Sequence, residues 1–373
     1  MKCMTRTMEL SGSSYEIGRK LGEITASIPP LKAVHTAGFP EFDEAEVEEA
    51  RALFGRWCPG LNEELSGFAE VLGVPAKQIV YYAMTSLRPN CSQIAVLPSM
   101  TESGELLVAR SYEFHPEMED FTLVKTSVTG KYTHMGTTVL QFGREDGFNE
   151  CGLSVTMSSC GFPVGADKNM RRPKLKGLQY WAVIRSVLEN CKDVEEALAY
   201  VKEMPIAYNL NMILADKSGQ MALVETLDGR MAVRRLPDES GEQYLCATNH
   251  QVLPELIPCE PVAMRHSLVR YHWIRETMDK AKAGKVSREM LKDMLLSKYP
   301  EGQCCHFYQD FFGTTKSMVI SPAAGTIELC WGGEAENGWQ IYEIDKPLAC
   351  SMKEIEVHNV PFTPDLGEFL PIE

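Results

Sequence analysis

The spacing of apolar residues changes at residues 88–92, which read Arg-Pro-Asn-Cys-Ser, and this change limits the folds open to the chain. Before it, apolar residues recur at helical spacing, as at Ile17, Leu21 and Ile24. After it, short apolar runs such as 94–97 and 105–110 are separated by turn residues, which is typical of β-strands. The pattern predicts a mostly helical segment over residues 1–90 and a β-rich remainder over residues 91–373.

The order of elements after residue 90 predicts an α+β fold. Five strand-like segments lie between residues 94 and 157, followed by a helix pair, three strands, a second helix pair and three closing strands. Short strands joined by tight turns favour antiparallel sheets. We therefore expect two antiparallel sheets packed face to face, with helices outside.

Composition excludes several classes of function. The formal net charge of −14 argues against a nucleic-acid partner, which needs clustered Lys and Arg. The one basic group, residues 171–176, is interpreted as a solvated loop. The first ten residues contain no signal-like apolar run and no segment has the length of a membrane span, so we expect a cytoplasmic protein.

The 12 cysteines are then expected to be reduced, and the chain contains no CxxC pair. The run Cys304-Cys305-His306 is too compact for the usual zinc spacing, so we expect neither a metal nor a cofactor.

Cys91 is the candidate nucleophile. If the Asn90–Cys91 bond is cut, Cys91 carries both a thiol and a free α-amine, whose pKa of roughly 7.7–8.0 makes it a usable base near neutrality. The same thiol could make the cut by attacking the Asn90 carbonyl to give a thioester. The alternative interpretation is an ordinary buried thiol, because free cysteine is among the most buried residue types.

Two residues close to Cys91 in sequence could support its chemistry. A thiolate needs a nearby positive charge to lower its pKa, and Arg110 ends a strand predicted to form a hairpin with that of Cys91. Glu113 could accept a hydrogen bond from the α-ammonium group. The alternative for Arg110 and Glu113 is a surface ion pair, which contributes little to stability.

Two more distant residues could complete the site. Asn249 follows an apolar strand, and a side-chain amide there could donate to the oxyanion of a tetrahedral intermediate. Arg270 lies in a helical segment and could complete the charge balance, while the stretch 158–161 could add a backbone donor. Taken singly, Asn249 is better explained as a turn residue and Arg270 as part of a solvated helix face.

Six short motifs occur in one order along nearly the whole chain. They are Gly12-Ser-Ser-Tyr-Glu-Ile-Gly18, Asn90-Cys91-Ser92, Arg110-Ser-Tyr-Glu113, Asn149-Glu-Cys-Gly-Leu153, Ala247-Thr-Asn-His250 and Ser267-Leu-Val-Arg270. Together they resemble the acyl-coenzyme A:isopenicillin N acyltransferase-like branch of the N-terminal-nucleophile hydrolases, which is related to choloylglycine hydrolases and acid ceramidase. The resemblance implies an αββα sandwich, self-cleavage before the cysteine, and attack on a linear amide carbonyl.

The same resemblance implies a role for each site residue. The matches are Cys91 to the nucleophile, Arg110 to the arginine near it, Glu113 to a carboxylate that is usually aspartate, Ser159 to a position where relatives often carry asparagine, Asn249 to the oxyanion asparagine and Arg270 to the late arginine. Asn90 stands where a small residue is common. Residues 1–90 would then be a helical pro-segment or small subunit, and residues 91–373 the catalytic domain.

Three interpretations remain open at this point. The first is a self-processed cysteine hydrolase or acyltransferase that cleaves a linear amide C–N bond through a thioester on Cys91. The second is an unprocessed cysteine hydrolase with His115 or His250 as base. The third is a non-catalytic member that binds a small acyl or amide ligand. The substrate, the choice between hydrolysis and acyl transfer, and the oligomeric state, a homo-oligomer included, are not determined by the sequence.

Overall fold

The structure is a computed structural model that describes residues 1–38, 43–84, 87–160, 175–281, 285–361 and 363–372. Residues 171–174 of the basic group lie outside this part of the chain. The α-helices are α1 (Ser14–Ala26), α2 (Pro29–Thr36), α3 (Glu44–Trp57), α4 (Leu61–Leu72), α5 (Ala76–Ala83), α6 (Tyr180–Asn190), α7 (Val194–Glu203), α8 (Arg265–Ala281) and α9 (Arg288–Leu296).

The strands begin with β1, ahead of the first helix, and continue to the C-terminus. They are β1 (Lys2–Gly12), β2 (Asn90–Val96), β3 (Leu107–Phe114), β4 (Thr122–Val128), β5 (His134–Val139), β6 (Gly143–Arg144), β7 (Gly147–Asn149), β8 (Leu153–Ser159), β9 (Leu210–Asp216), β10 (Met221–Leu227), β11 (Arg230–Leu236), β12 (Tyr244–Ala247), β13 (Val262–Met264), β14 (His306–Phe307), β15 (Phe312–Ser321), β16 (Thr326–Trp331), β17 (Gln340–Glu343), β18 (Ser351–Glu356) and β19 (Phe369–Pro371).

Two large sheets form the centre of the molecule. The first has the strand order β11-β10-β9-β8-β7-β5-β4-β1-β18, with β6 on β5. The second has the order β12-β2-β3-β15-β16-β17, with β14 on β15. Their pairs are antiparallel except for β1 with β4, which is parallel.

Apolar packing divides the molecule into four layers. Alternate residues of β2 face opposite sides, so that Ala95 packs between the sheets while Ile94 belongs to an outer apolar cluster that includes Ile274 of α8. On the outer face of the first sheet, Val155 packs with Ile184 of α6 and with the helices of the N-terminal segment. The layer order is therefore helix, sheet, sheet, helix, which confirms the predicted αββα sandwich.

The N-terminal segment contains a strand that the sequence analysis did not predict. Helices α1 to α5 all fall within residues 1–90, but β1 inserts between β4 and β18 in the first sheet. Its sequence lacks a clean alternation of apolar and polar residues, and its partner strands begin 110 or more residues later. The segment is thus joined to the remainder of the chain by backbone hydrogen bonds as well as by helix packing.

The Gly12–Gly18 motif is explained by the packing of α1 on α4. Ser13 and Glu16 form a reciprocal capping box at the start of α1. A Cβ atom on Gly18 would lie 1.9 Å from the backbone oxygen of Glu64, so only glycine permits this close crossing. The motif therefore stabilises the packing of the N-terminal segment and takes no part in the chemistry.

No helix in the described part of the chain has the length and apolar character needed to cross a bilayer.

Candidate active site

The hairpin of β2 and β3 brings Arg110 to Cys91. Cys91 pairs with Tyr112 and Gln93 pairs with Arg110, so the two side chains lie diagonally on the face between the sheets. Arg110 Nη2 is 3.4 Å from Cys91 Sγ, and both residues are fully buried. A guanidinium at this distance stabilises a thiolate over a thiol.

The buried surroundings of the Cys91 thiol nevertheless favour its protonated form. Burial raises the pKa of the Cys91 thiol to about 12, against the attraction of Arg110, and the charge of Glu113 adds to the rise. The hydrogen bond from Arg110 offsets part of this rise only. Water or a new positive charge at the site would therefore be needed to form a stable thiolate near neutral pH.

Glu113 lies on the opposite face of β3 from Arg110. It pairs with Arg270 of α8, with 3.3 Å between Arg270 Nη1 and Glu113 Oε2, and accepts a hydrogen bond from Thr314 Oγ1 at 3.2 Å. Burial raises the pKa of Glu113, while Arg270 opposes the rise. The structure thus brings Glu113 to Arg270, rather than into hydrogen-bond contact with the nitrogen of Cys91.

The partner of the Cys91 nitrogen is Asn249. The Cys91 N–H donates to Asn249 Oδ1 at 3.2 Å, and Arg270 Nη2 donates to the same oxygen at 2.7 Å. Arg270 Nη1 also donates to the Cys91 carbonyl oxygen at 2.9 Å. Since both partners can only donate, they orient the amide with its oxygen towards Cys91.

The amino group of Asn249 points to Ser159 at the end of β8. Asn249 Nδ2 donates to the Ser159 backbone oxygen at 2.9 Å and to its Oγ at 3.1 Å. Ser159 Oγ in turn donates to the Pro89 carbonyl oxygen at 2.5 Å. Asn249 therefore holds the nitrogen of the Asn90–Cys91 bond, and Ser159 holds the carbonyl of the preceding peptide bond.

Ser267 explains why two of the motifs occur together. Its Oγ accepts a hydrogen bond from the Asn249 N–H at 2.8 Å and lies 2.7 Å from His250 Nδ1. One turn later in α8, Arg270 contacts Asn249 directly.

The motif around Asn149 has a structural role, since the side-chain amide of Asn149 donates to the carbonyls of Leu188 and Cys191 at the end of α6.

Neither candidate histidine base is bonded to the thiol in the described residues. His250 is directed to Ser267, and burial, with His272 and Arg270, lowers the pKa of its imidazole to about 3. His115 Nδ1 accepts from the Glu117 N–H at 3.2 Å, and its ring packs on Phe311. Both rings thus have local structural partners.

Sequence reasoning missed the charged residues on the far side of Arg110. Asp146 forms a buried salt bridge with Arg110, and the Glu145 carbonyl oxygen accepts from Arg110 Nη1 at 2.7 Å. Lys316 Nζ lies 4.1 Å from the centre of the Tyr112 ring and pairs with Glu119 and Glu145. In sequence, Arg144-Glu145-Asp146-Gly147 has the composition of a solvated turn, so only the fold reveals its position.

No group of three or more His, Cys, Asp or Glu side chains in the described ranges is arranged to hold a metal ion.

Comparison with known proteins gives a family match over most of the chain. The model of the family described as acyl-coenzyme A:6-aminopenicillanic acid acyl-transferase matches residues 99–336. An "uncharacterized protein" of Archaeoglobus fulgidus is 24% identical over 202 residues, which is 48% of this chain and 33% of that protein. The present chain thus matches only about a third of that relative's length.

Three solved structures resemble the chain at low sequence identity. Penicillin V acylase from Agrobacterium tumefaciens is 18% identical, with 65% of this chain and 83% of that chain covered and a TM-score of 0.39. A conjugated bile acid hydrolase from Clostridium perfringens is 14% identical, with coverages of 73% and 99% and a TM-score of 0.45. The Caenorhabditis elegans orthologue of N-acylethanolamine-hydrolyzing acid amidase is 16% identical, with coverages of 62% and 93% and a TM-score of 0.42.

Proposed function

Because this chain belongs to the acyl-coenzyme A:6-aminopenicillanic acid acyl-transferase family, we propose that it cleaves a linear amide C–N bond with Cys91 as an N-terminal nucleophile. Membership of the family confirms the resemblance found in the six motifs. The observation that carries the proposal is the arrangement around the Asn90–Cys91 bond. Arg110 donates to the Cys91 sulfur, Asn249 accepts from the Cys91 nitrogen, and Ser159 donates to the carbonyl oxygen of Pro89, one residue before the scissile carbonyl.

The first step is self-cleavage of the chain. The Cys91 sulfur attacks the Asn90 carbonyl carbon, the C–N bond breaks, and the thiol proton passes to the departing nitrogen. Water then opens the thioester, which leaves a carboxylate on Asn90 and restores the Cys91 thiol. The buried, protonated thiol of the intact chain supports the view that the uncleaved protein is inactive towards other amides.

Cleavage supplies the base for the second reaction. The Cys91 nitrogen becomes an α-amine with a pKa near neutrality, able to take the thiol proton directly or through water. Asn249 Oδ1, already 3.2 Å from this nitrogen, would hold the amine in place. In its protonated form the amine adds a positive charge beside the sulfur, and with Arg110 this lowers the pKa of the thiol.

The catalytic cycle then repeats the chemistry on a small amide. The thiolate attacks the substrate carbonyl, the amine leaves with a proton from the α-ammonium, and a thioester forms on Cys91. Water completes hydrolysis, whereas a second amine would complete acyl transfer. A donor from Asn249 or the backbone near Ser159 would stabilise the oxyanion in both half-reactions.

Two measurements test this proposal. Denaturing mass spectrometry of the purified protein should show fragments 1–90 and 91–373, while Cys91→Ala should remain a single chain. The wild type and Cys91→Ala are then assayed for released amine on N-acyl amino acids, lactam acyl amides and acyl-amines. An intact wild-type chain with full amidase activity would overturn the N-terminal-nucleophile mechanism. A cleaved chain inactive on the whole panel would point to a ligand-binding member of the family.

A further inference from the structure

One terminal nitrogen of the Arg110 guanidinium is bound by acidic residues, and the other contacts Cys91. Nη1 is bound by the Asp146 carboxylate and by the Glu145 carbonyl oxygen, whereas Nη2 donates to Cys91 Sγ. A guanidinium is planar, so anchoring Nη1 on two acceptors determines where Nη2 points. The position of the charge at the thiol therefore depends on the position of Asp146.

Asp146 is itself held rigidly. Its Oδ1 accepts from the Thr137 N–H at 3.0 Å and from Thr137 Oγ1 at 2.8 Å, which leaves Oδ2 for Arg110. A Cβ atom on Gly136 would lie 2.1 Å from the Asp146 backbone oxygen. Glycine at this position therefore permits the close approach of the two strands that directs Asp146 at Arg110.

The other acidic residues nearby have a different cation. Lys316 Nζ pairs with Glu119 at 2.8 Å and also with Glu145. Burial and the charge of Glu119 raise the pKa of Glu145, against the attraction of Lys316. Arg110 Nη1 contacts the backbone oxygen of Glu145, whereas it contacts the carboxylate of Asp146. Asp146 is thus the carboxylate that balances Arg110.

We infer that Asp146 is a positioning residue that directs Arg110 at the Cys91 thiol and thereby makes the thiolate accessible. The inference deepens the proposed function, because it rests on Cys91 as the nucleophile. Other titratable or charged groups that act on the thiol or on its immediate neighbours come from every adjoining element. They are Arg88 before β2, Glu113 and Tyr112 on β3, Glu119 before β4, Glu145 before β7, Lys316 on β15, Tyr180 on α6, Tyr208 before β9 and Arg270 on α8.

The sign of one pKa change separates positioning from a simple charge effect. Asp146→Asn removes a negative charge close to Cys91, and by Coulomb's law alone this lowers the thiol pKa. If Asp146 instead orients Arg110, the same substitution frees the guanidinium and raises the thiol pKa. We expect a rise of about one unit, which is about a tenfold fall in thiolate at neutral pH.

The experiment measures the rate of iodoacetamide modification of Cys91 from pH 5 to 9, by mass spectrometry of the peptide that contains it. The matched control is Asp120→Asn. Asp120 is a buried aspartate whose carboxylate accepts hydrogen bonds from Thr138 and Gln141, and it forms no salt bridge with a cation among the described residues. The control should leave the profile of Cys91 unchanged. If Asp146→Asn does not fold, Thr137→Val removes the Oγ1 hydrogen bonds to Asp146 and Glu145 but keeps the N–H bond to Asp146, and it should shift the profile in the same direction by less.

The outcomes distinguish this inference from the proposed function. A profile that is unchanged or shifted to lower pH in both Asp146→Asn and Thr137→Val overturns the positioning role, even if the wild type hydrolyses amides. If Asp146→Asn shifts the profile to higher pH but the wild type has no amidase activity, the positioning role is supported while the proposed function fails. Asp146→Glu keeps the charge but displaces it, so under positioning it should also raise the thiol pKa, and under a charge effect it should not.

Discussion

The backbone N–H of Cys91 donates to the amide oxygen of Asn249 at 3.2 Å, although 158 residues separate the two positions. This contact supports a second proposed role for Asn249, beside the oxyanion role implied by resemblance. Its oxygen faces the nitrogen that cleavage would convert into the catalytic amine, while its amino group faces Ser159.

The two roles of Asn249 can be separated by two substitutions. Asn249→Ala removes both, and we expect kcat to fall about 10²–10³-fold, as for loss of one oxyanion donor, with KM changed only a few-fold. Asn249→Asp keeps an acceptor for the amine but loses the donor. Single-turnover kinetics of the cleaved variants, with thermal melts as the check on folding, measure the effect. A fall in kcat of less than tenfold in a stable Asn249→Ala would exclude it as the main donor.

Arg110 should control the ionisation of Cys91. Arg110→Met removes the cation from the thiol, so the pH profile of Cys91 alkylation should move upward. The substitution also leaves Asp146 buried without its partner, which is destabilising by about 3–5 kcal/mol. The double variant Arg110→Met with Asp146→Asn removes both charges. It should recover part of that stability without restoring the reactivity of the Cys91 thiol. An unchanged alkylation profile in a folded Arg110→Met would remove Arg110 from the mechanism.

The N-terminal fragment should remain bound after cleavage. β1 lies between β4 and β18, and Glu64 of α4 forms a buried salt bridge with Arg185 of α6, at 2.5 Å between Glu64 Oε2 and Arg185 Nη2. Native mass spectrometry should therefore show both fragments in one complex that separates only in denaturant. Glu64→Gln should release the fragment at lower denaturant concentration without altering Cys91 alkylation. Spontaneous dissociation of the wild-type fragments in buffer would contradict this.

Self-cleavage should accelerate with pH. An acid whose pKa is raised to about 12 is almost wholly protonated from pH 7 to 9, and its ionised fraction grows about tenfold per pH unit there. If the thiolate is the attacking species, the rate should rise by about that factor per unit. Cell-free synthesis followed by timed denaturing gels gives the rate. A flat profile would indicate that proton transfer is concerted with attack or that another step limits cleavage.

His250 should be dispensable for the chemistry. Its imidazole is buried, holds Ser267 at 2.7 Å, and is neutral at physiological pH because burial lowers its pKa. His250→Asn retains a polar group for this contact, so we expect turnover within a few-fold of the wild type. His115→Asn, at the edge of the hairpin, should behave likewise. Complete loss of turnover in a well-folded His250→Asn would favour the unprocessed mechanism with histidine as base.

Part of the candidate site follows from local sequence. The hairpin that carries Cys91 and Arg110 was predictable because its two strands are adjacent in sequence and joined by a turn at residues 102–104. Alternation along β3 could also have placed Glu113 on the opposite face from Arg110, because the two are three residues apart and side chains in a strand alternate.

The layer order and the position of Cys91 near the start of a strand could be predicted from the sequence, because both depend on periodicity and on neighbours along the chain. Three contacts appear only once the chain is folded: the pairing of β1 with β18, the salt bridge of Asp146 with Arg110, and the hydrogen bond between Asn249 and the Cys91 nitrogen. These contacts join residues that are distant in sequence, and such contacts depend on strand register and on how the two sheets stack. Periodicity within a segment carries no information about either.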